Sequence, residues 1–89
     1  MSQFYVQDPG EKVEYQINWT EGIPEGTTIV SSTWVSAPMT ASGLSIDGDY
    51  TVVSLTGGTS GALHQIENSI VLSDGETYKD SIFIYIEDK

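Results

Sequence analysis

An all-β sandwich is the fold class that this sequence predicts, and three observations carry it. Apolar and polar residues alternate in several stretches, most plainly from Lys12 to Trp19. Runs rich in Thr, Ser, Val, Ile and Tyr are broken at regular intervals by Gly, Pro and Asp-Gly pairs. No stretch carries the 3.6-residue apolar stripe of a helix. Alternation with period two sends successive side chains to opposite faces, so each run can bury one side. Frequent turn signals between short runs point to a sandwich, with a small barrel as the alternative.

The elements follow in order. Phe4 to Gln7 offers a seventh strand beside six clearer ones. In Lys12 to Trp19, residues Val13, Tyr15, Ile17 and Trp19 share one face, and Lys12, Glu14, Gln16 and Asn18 share the other. Glu21 to Gly26 contains Pro24 and two glycines and reads as a loop. Thr28 to Ala37 is the next strand. Its adjacent pairs Ile29–Val30 and Trp34–Val35 imply either a bulge or burial on both faces. Pro38 ends that strand, and a short one begins at Leu44 and Ile46. Asp47-Gly48 is a hairpin turn, because Gly accepts positive φ without steric cost. Tyr50 to Leu55 follows, and Gly57 to Gly61 crosses over. Leu63 to Leu72 places Ile66 and Ile70 on one face. Asp74-Gly75 makes a second hairpin. Tyr78 to Ile86 carries Ile82, Ile84 and Ile86 on one face and Phe83 and Tyr85 on the other. A buried Trp34 on the third strand fits an immunoglobulin-like sandwich of six to seven antiparallel strands, without the cysteines of antibody domains.

Length and charge bound the function. Eighty-nine residues predict one domain over 1–89, too small for a large buried active-site cavity. Thirteen acidic residues against three basic ones give a formal charge of −10. Such a surface repels phosphate backbones and anionic lipid, so neither nucleic acid nor membrane is an expected partner. It favours a basic partner instead. No cysteine is present, which excludes disulfides and thiolate metal sites. The amino terminus is too short and mixed for a signal peptide, so synthesis in the cytoplasm is expected.

The search for chemistry returns little. His64 is the sole histidine and has no oriented nucleophile beside it. Gly57 to Gly61 lacks the Lys and hydroxyl of a phosphate loop. Asp47, Asp49, Asp74 and Glu76 flank turns, with no calcium-loop spacing around them. We therefore expect no catalytic, metal or cofactor site. Trp19 and Trp34 could stack a sugar, but Trp19 is in phase with inward Val13, Tyr15 and Ile17, and core is the expectation for both. The most suggestive feature is apolar. With the isoleucines of the last strand buried, Phe83 and Tyr85 point outward. Phe4 and Tyr5 stand as their neighbours in a protein-interaction patch. Few lysines guard the sheet edges, which suggests that neighbouring subunits cover them.

The order of motifs resembles a family of short bacteriophage virion proteins, the fibre–tail adaptors. The resemblance runs from Asp8-Pro9 and Glu11 through Tyr15-x-Ile17-x-Trp19 and Ser31-Ser32-Thr33-Trp34. It continues through Leu55-Thr56-Gly57-Gly58-Thr59-Ser60-Gly61, Asn68 and Asp74-Gly75 to Ser81-Ile82-x-Ile84-x-Ile86. The chain departs from that pattern by ending in Glu87-Asp88-Lys89 instead of an arginine-rich tail. The resemblance implies a small immunoglobulin-like domain without catalytic residues, carried in the virion. It implies a role in joining a fibre or appendage to the tail, neck or portal region. Other virion proteins would be its partners, with a homo-oligomer in the particle. A capsid decoration or cement protein is the alternative, and a sugar-binding module a more distant one.

Overall fold

The computed structural model describes residues 3–88 and contains seven strands in two sheets. They are β1 (Gln3–Gln7), β2 (Lys12–Asn18), β3 (Ile29–Val35), β4 (Met39–Asp47), β5 (Tyr50–Gly57), β6 (Leu63–Leu72) and β7 (Thr77–Ile86). One sheet has the order β1-β7-β6-β3 and the other β2-β5-β4. The expected immunoglobulin-like sandwich is therefore present.

The expectation of antiparallel strands throughout needs one correction. β1 runs parallel to β7, with Phe4 opposite Phe83 and Val6 opposite Tyr85. No hairpin joins these two strands, and a parallel pair needs only a long crossover, which the whole intervening chain supplies. A second correction concerns β4. It begins at Met39, directly after Pro38, and not at Leu44. Its first half, Thr40-Ala41-Ser42-Gly43, lacks large apolar residues and so carries little alternation. β4 also holds a bulge between Ser42 and Ser45, with Gly43 at φ 60° supplying the left-handed residue. The bulge read from Ile29–Val30 is found, and it leaves Val30 on the surface. Trp34 and Val35 simply alternate, with Val35 exposed.

Both hairpin turns form where Asp-Gly predicts them. Gly48 sits at φ 60° as the first of two residues between the paired Asp47 and Tyr50. Around Gly75, the Leu72 N–H donates to the Glu76 carbonyl at 2.8 Å. The glycine block after β5 carries the chain from one sheet to the other.

The core lies between the sheets. Ile66, Ile70 and Leu72 of β6 and Ile82, Ile84 and Ile86 of β7 meet Tyr15, Ile17, Met39, Val53 and Leu55 of the opposing sheet. Two polar clusters are buried with them. Trp19 Nε1 donates to Thr51 Oγ1 at 3.1 Å and Asn68 Oδ1 at 3.2 Å. Thr51 donates to the same Asn68 oxygen at 2.6 Å, and Asn68 Nδ2 donates to Ser32 Oγ and the Thr33 carbonyl. The second cluster centres on Gln7, which donates to the Leu55 and Glu11 carbonyls and accepts from the Tyr15 hydroxyl at 2.6 Å. A buried amide whose groups are all paired avoids the desolvation cost and fixes the register of the strands it links. These clusters bolt the two sheets together.

Candidate protein-interaction surface

Three of the four residues expected at an interaction patch come together. Phe4 faces Phe83, Val6 faces Tyr85, and Leu63 of β6 stands on the other side of Tyr85. Paired residues share a face, so Phe4, Val6, Leu63, Phe83 and Tyr85 form one apolar area outside the four-stranded sheet. Phe4 is 64 % exposed, Leu63 53 % and Val6 50 %, while Phe83 and Tyr85 are half-buried between them. The margin is acidic. Glu67 lies two residues along β6 from Gln65, the partner of Phe83, and exposed Glu87 and Asp88 follow directly on β7.

Tyr5 does not join them. It pairs with Ile84 and so points inward. Its ring lies 4.8 Å from that of Tyr15, tilted at 53°, and packs against the core. Adjacent strand residues cannot share a face, so Phe4 outside requires Tyr5 inside. The same rule exposes what was missed. Val6 is in phase with Phe4, and Leu63 is out of phase with Ile66 and Ile70.

Burial acts on Tyr15 as well. Its hydroxyl pKa is raised to about 12, by burial first and then by the neighbouring Tyr5 and Glu11. Between the edges of β1 and β2 an open groove of about 590 Å³ is lined by Gln3, Tyr5, Glu11, Val13 and Glu14, among others.

The remaining candidates are structural. His64 is buried, and its Nε2 accepts from the Thr59 N–H at 2.9 Å, holding the glycine block against β6. Trp19 is in the core, and Trp34 is half-buried against it. The Trp34 indole N–H is buried without a hydrogen-bond partner. Asp74 Oδ1 accepts from the Glu76 N–H at 3.0 Å and so closes its own turn. Among the described residues no group of three or more His, Asp or Glu is placed to hold a metal ion. The residues that carried the sequence resemblance also hold the fold. Asp8 Oδ1 accepts from Gly10 N, while Trp19 and Asn68 form the bolt between sheets. Gly58, at φ 98°, allows Ile86 and His64 to approach so closely that a Cβ would lie 2.8 Å from Ile86 Cγ1.

The same fold occurs in solved structures of distant sequence. A 2,6-sialyltransferase from Vibrionaceae Photobacterium sp. JT-ISH-224 matches with a TM-score of 0.59 and 15% identity, over 99% of this chain and 18% of that one. The PKD domain from KIAA 1837 protein matches with a TM-score of 0.57 and 9% identity, over 99% of this chain and 81% of that one. The chain thus spans only a small part of the sialyltransferase, and at these identities the likeness is one of fold. No curated protein matches the chain. The family model described as podophage GP4 fiber-tail adaptor protein gp77 matches residues 7–85, which takes in both polar clusters, β2 to β6 and all of β7 but its last residue. The chain belongs to this family of phage fibre–tail adaptors.

Proposed function

We propose that this protein is a non-enzymatic connector that joins a fibre or appendage to the tail, neck or portal region of a virion. It is made in the host cytoplasm, and residues 1–89 act as one domain. Membership of the adaptor family carries the reading. The apolar area of Phe4, Val6, Leu63, Phe83 and Tyr85 supplies a docking face. Its acidic margin of Glu67, Glu87 and Asp88 favours a virion protein that sets basic side chains around an apolar contact. An area of exposed large apolar residues this continuous is the usual mark of a protein contact.

The test is the copy number in purified particles, measured by quantitative mass spectrometry against the major capsid protein. A small number matching tail or neck symmetry supports the connector. A number on the scale of the capsid protein makes the chain a decoration or cement protein. Absence from the particle overturns both.

A further inference from the structure

The charges of this chain are not spread evenly. From Gly26 to Ile46 there is no charged residue, although the remainder holds thirteen acidic and three basic ones. That stretch contains β3 and all of β4 but its last residue, Asp47; these are the edge strands of the two different sheets. They lie on the same side of the sandwich, so this flank carries charge only at its rim, where Asp47 follows Ile46 and Glu67 of β6 stands opposite Val35. The opposite flank, built from β1 and β2, carries Glu11, Lys12 and Glu14.

This flank is also apolar. Leu44 and Val35 are among its exposed residues, with Ile46 less so. Ser32 of β3 with Leu44, Ser45 and Ile46 of β4 lines a depression of about 230 Å³ that spans the two sheets. Ile46 belongs to the inward phase of β4, since it pairs with fully buried Thr51, yet β3 does not cover it. The sandwich is open here, and its core reaches the surface.

We propose that this flank is where two copies of the chain meet, about a two-fold axis. Charge selects the occupant. A basic partner gains nothing from a neutral surface and is drawn to the acidic ones. A second copy, itself at −10, is repelled by every acidic surface and meets the least repulsion on this flank, whose two edge strands carry no charge from Gly26 to Ile46. A two-fold axis sets neutral flank against neutral flank, whereas a head-to-tail contact with the other flank would meet Glu11 and Glu14. The bulge at Gly43 interrupts the edge of β4, so the contact is one of side chains and not a continued ladder. Leu44 and Ile46 of each copy seat at the depression of the other. These residues are distinct from the outer-face patch, so this surface and the docking face can fail separately.

Sedimentation of the full chain over a concentration series tests the proposal. The expected result is a reversible dimer that tightens as salt is raised, because salt screens the repulsion between two acidic copies. Docking to a basic partner would weaken with salt instead. Leu44→Glu with Ile46→Glu should weaken the dimer about 100-fold or more, the loss expected when two central apolar contacts become charged. Circular dichroism checks that this variant keeps its fold. Because the chain has no cysteine, Ser45→Cys gives an independent reading. Mild oxidation should link two copies through that residue faster than through Gln16→Cys on the outer face of β2. A monomer at all concentrations, a dimer that loosens with salt, a dimer indifferent to the double glutamate variant, or equal cross-linking at both positions would each overturn the proposal.

Discussion

The outer faces of the two sheets differ sharply although both belong to the same sandwich. On the four-stranded sheet, Phe4, Val6, Leu63, Phe83 and Tyr85 form an apolar area. On the three-stranded sheet, the outward positions are Lys12, Glu14, Gln16 and Asn18 of β2, Ser54 and Thr56 of β5, and Thr40 and Ser42 of β4. The apolar exceptions are both on the central strand: Val52, buried between Gln16 and Ser45, and Tyr50, beside Asn18. Water satisfies the polar face and solvates the apolar one at a free-energy cost. The inner faces, by contrast, are alike in being apolar and packed against each other, except where β3 leaves Ile46 of β4 uncovered. Stability lives inside, and the proposed recognition on one outside.

The largest effect should come from breaking the inside on which both faces depend. Asn68→Ala removes the amide that ties Trp19, Thr51, Ser32 and Thr33 together. Leaving several buried groups unpaired should cost about 3 kcal/mol or more, seen as a lower urea midpoint. Gln16→Ala on the polar face should change it by less than about 0.5 kcal/mol. Next in size is Gly58→Ala. Its Cβ would press on Ile86, and φ 98° disfavours any side chain, so a loss of about 2 kcal/mol is expected in the same assay.

Substitutions on the outside should sharpen the contrast. Phe83→Ser with Tyr85→Ser should abolish incorporation into particles while the isolated chain stays folded, because both side chains are only half-buried. Glu14→Ser with Gln16→Ser on the polar face should leave incorporation unchanged. If the first pair melts the domain, the apolar area is core and the contrast between faces falls.

A smaller effect concerns the inner face of β2. Tyr15 keeps its proton up to about pH 12 in the folded chain but releases it near 10 when unfolded. Stability from this group is therefore complete below pH 10 and is lost as pH rises from 10 to 12. Urea midpoints over that window should fall more steeply for the native chain than for Tyr15→Phe, which cannot titrate.

Which residues share a face can be read from local order along the chain. Strand alternation is a local property of the backbone, so Tyr15, Ile17 and Trp19, or Ile82, Ile84 and Ile86, can be grouped without knowing any neighbour. Turns were legible for the same reason, since Asp47-Gly48 and Asp74-Gly75 act on their own dihedral angles. Adjacent Phe4 and Tyr5 show the cost of overlooking that rule, and β4 shows its limit, because Thr40, Ala41 and Ser42 are too alike in size and polarity to mark a strand. Which strands stand side by side is settled by folding of the whole chain. Pairing between β1 and β7, some eighty residues apart, is fixed by competition among all sheet edges and not by any local signal. That pairing brings Phe4 and Val6 against Phe83 and Tyr85. The uncharged stretch from Gly26 to Ile46 was visible as letters, but it became a surface only when packing set β3 and β4 on one flank of the two sheets.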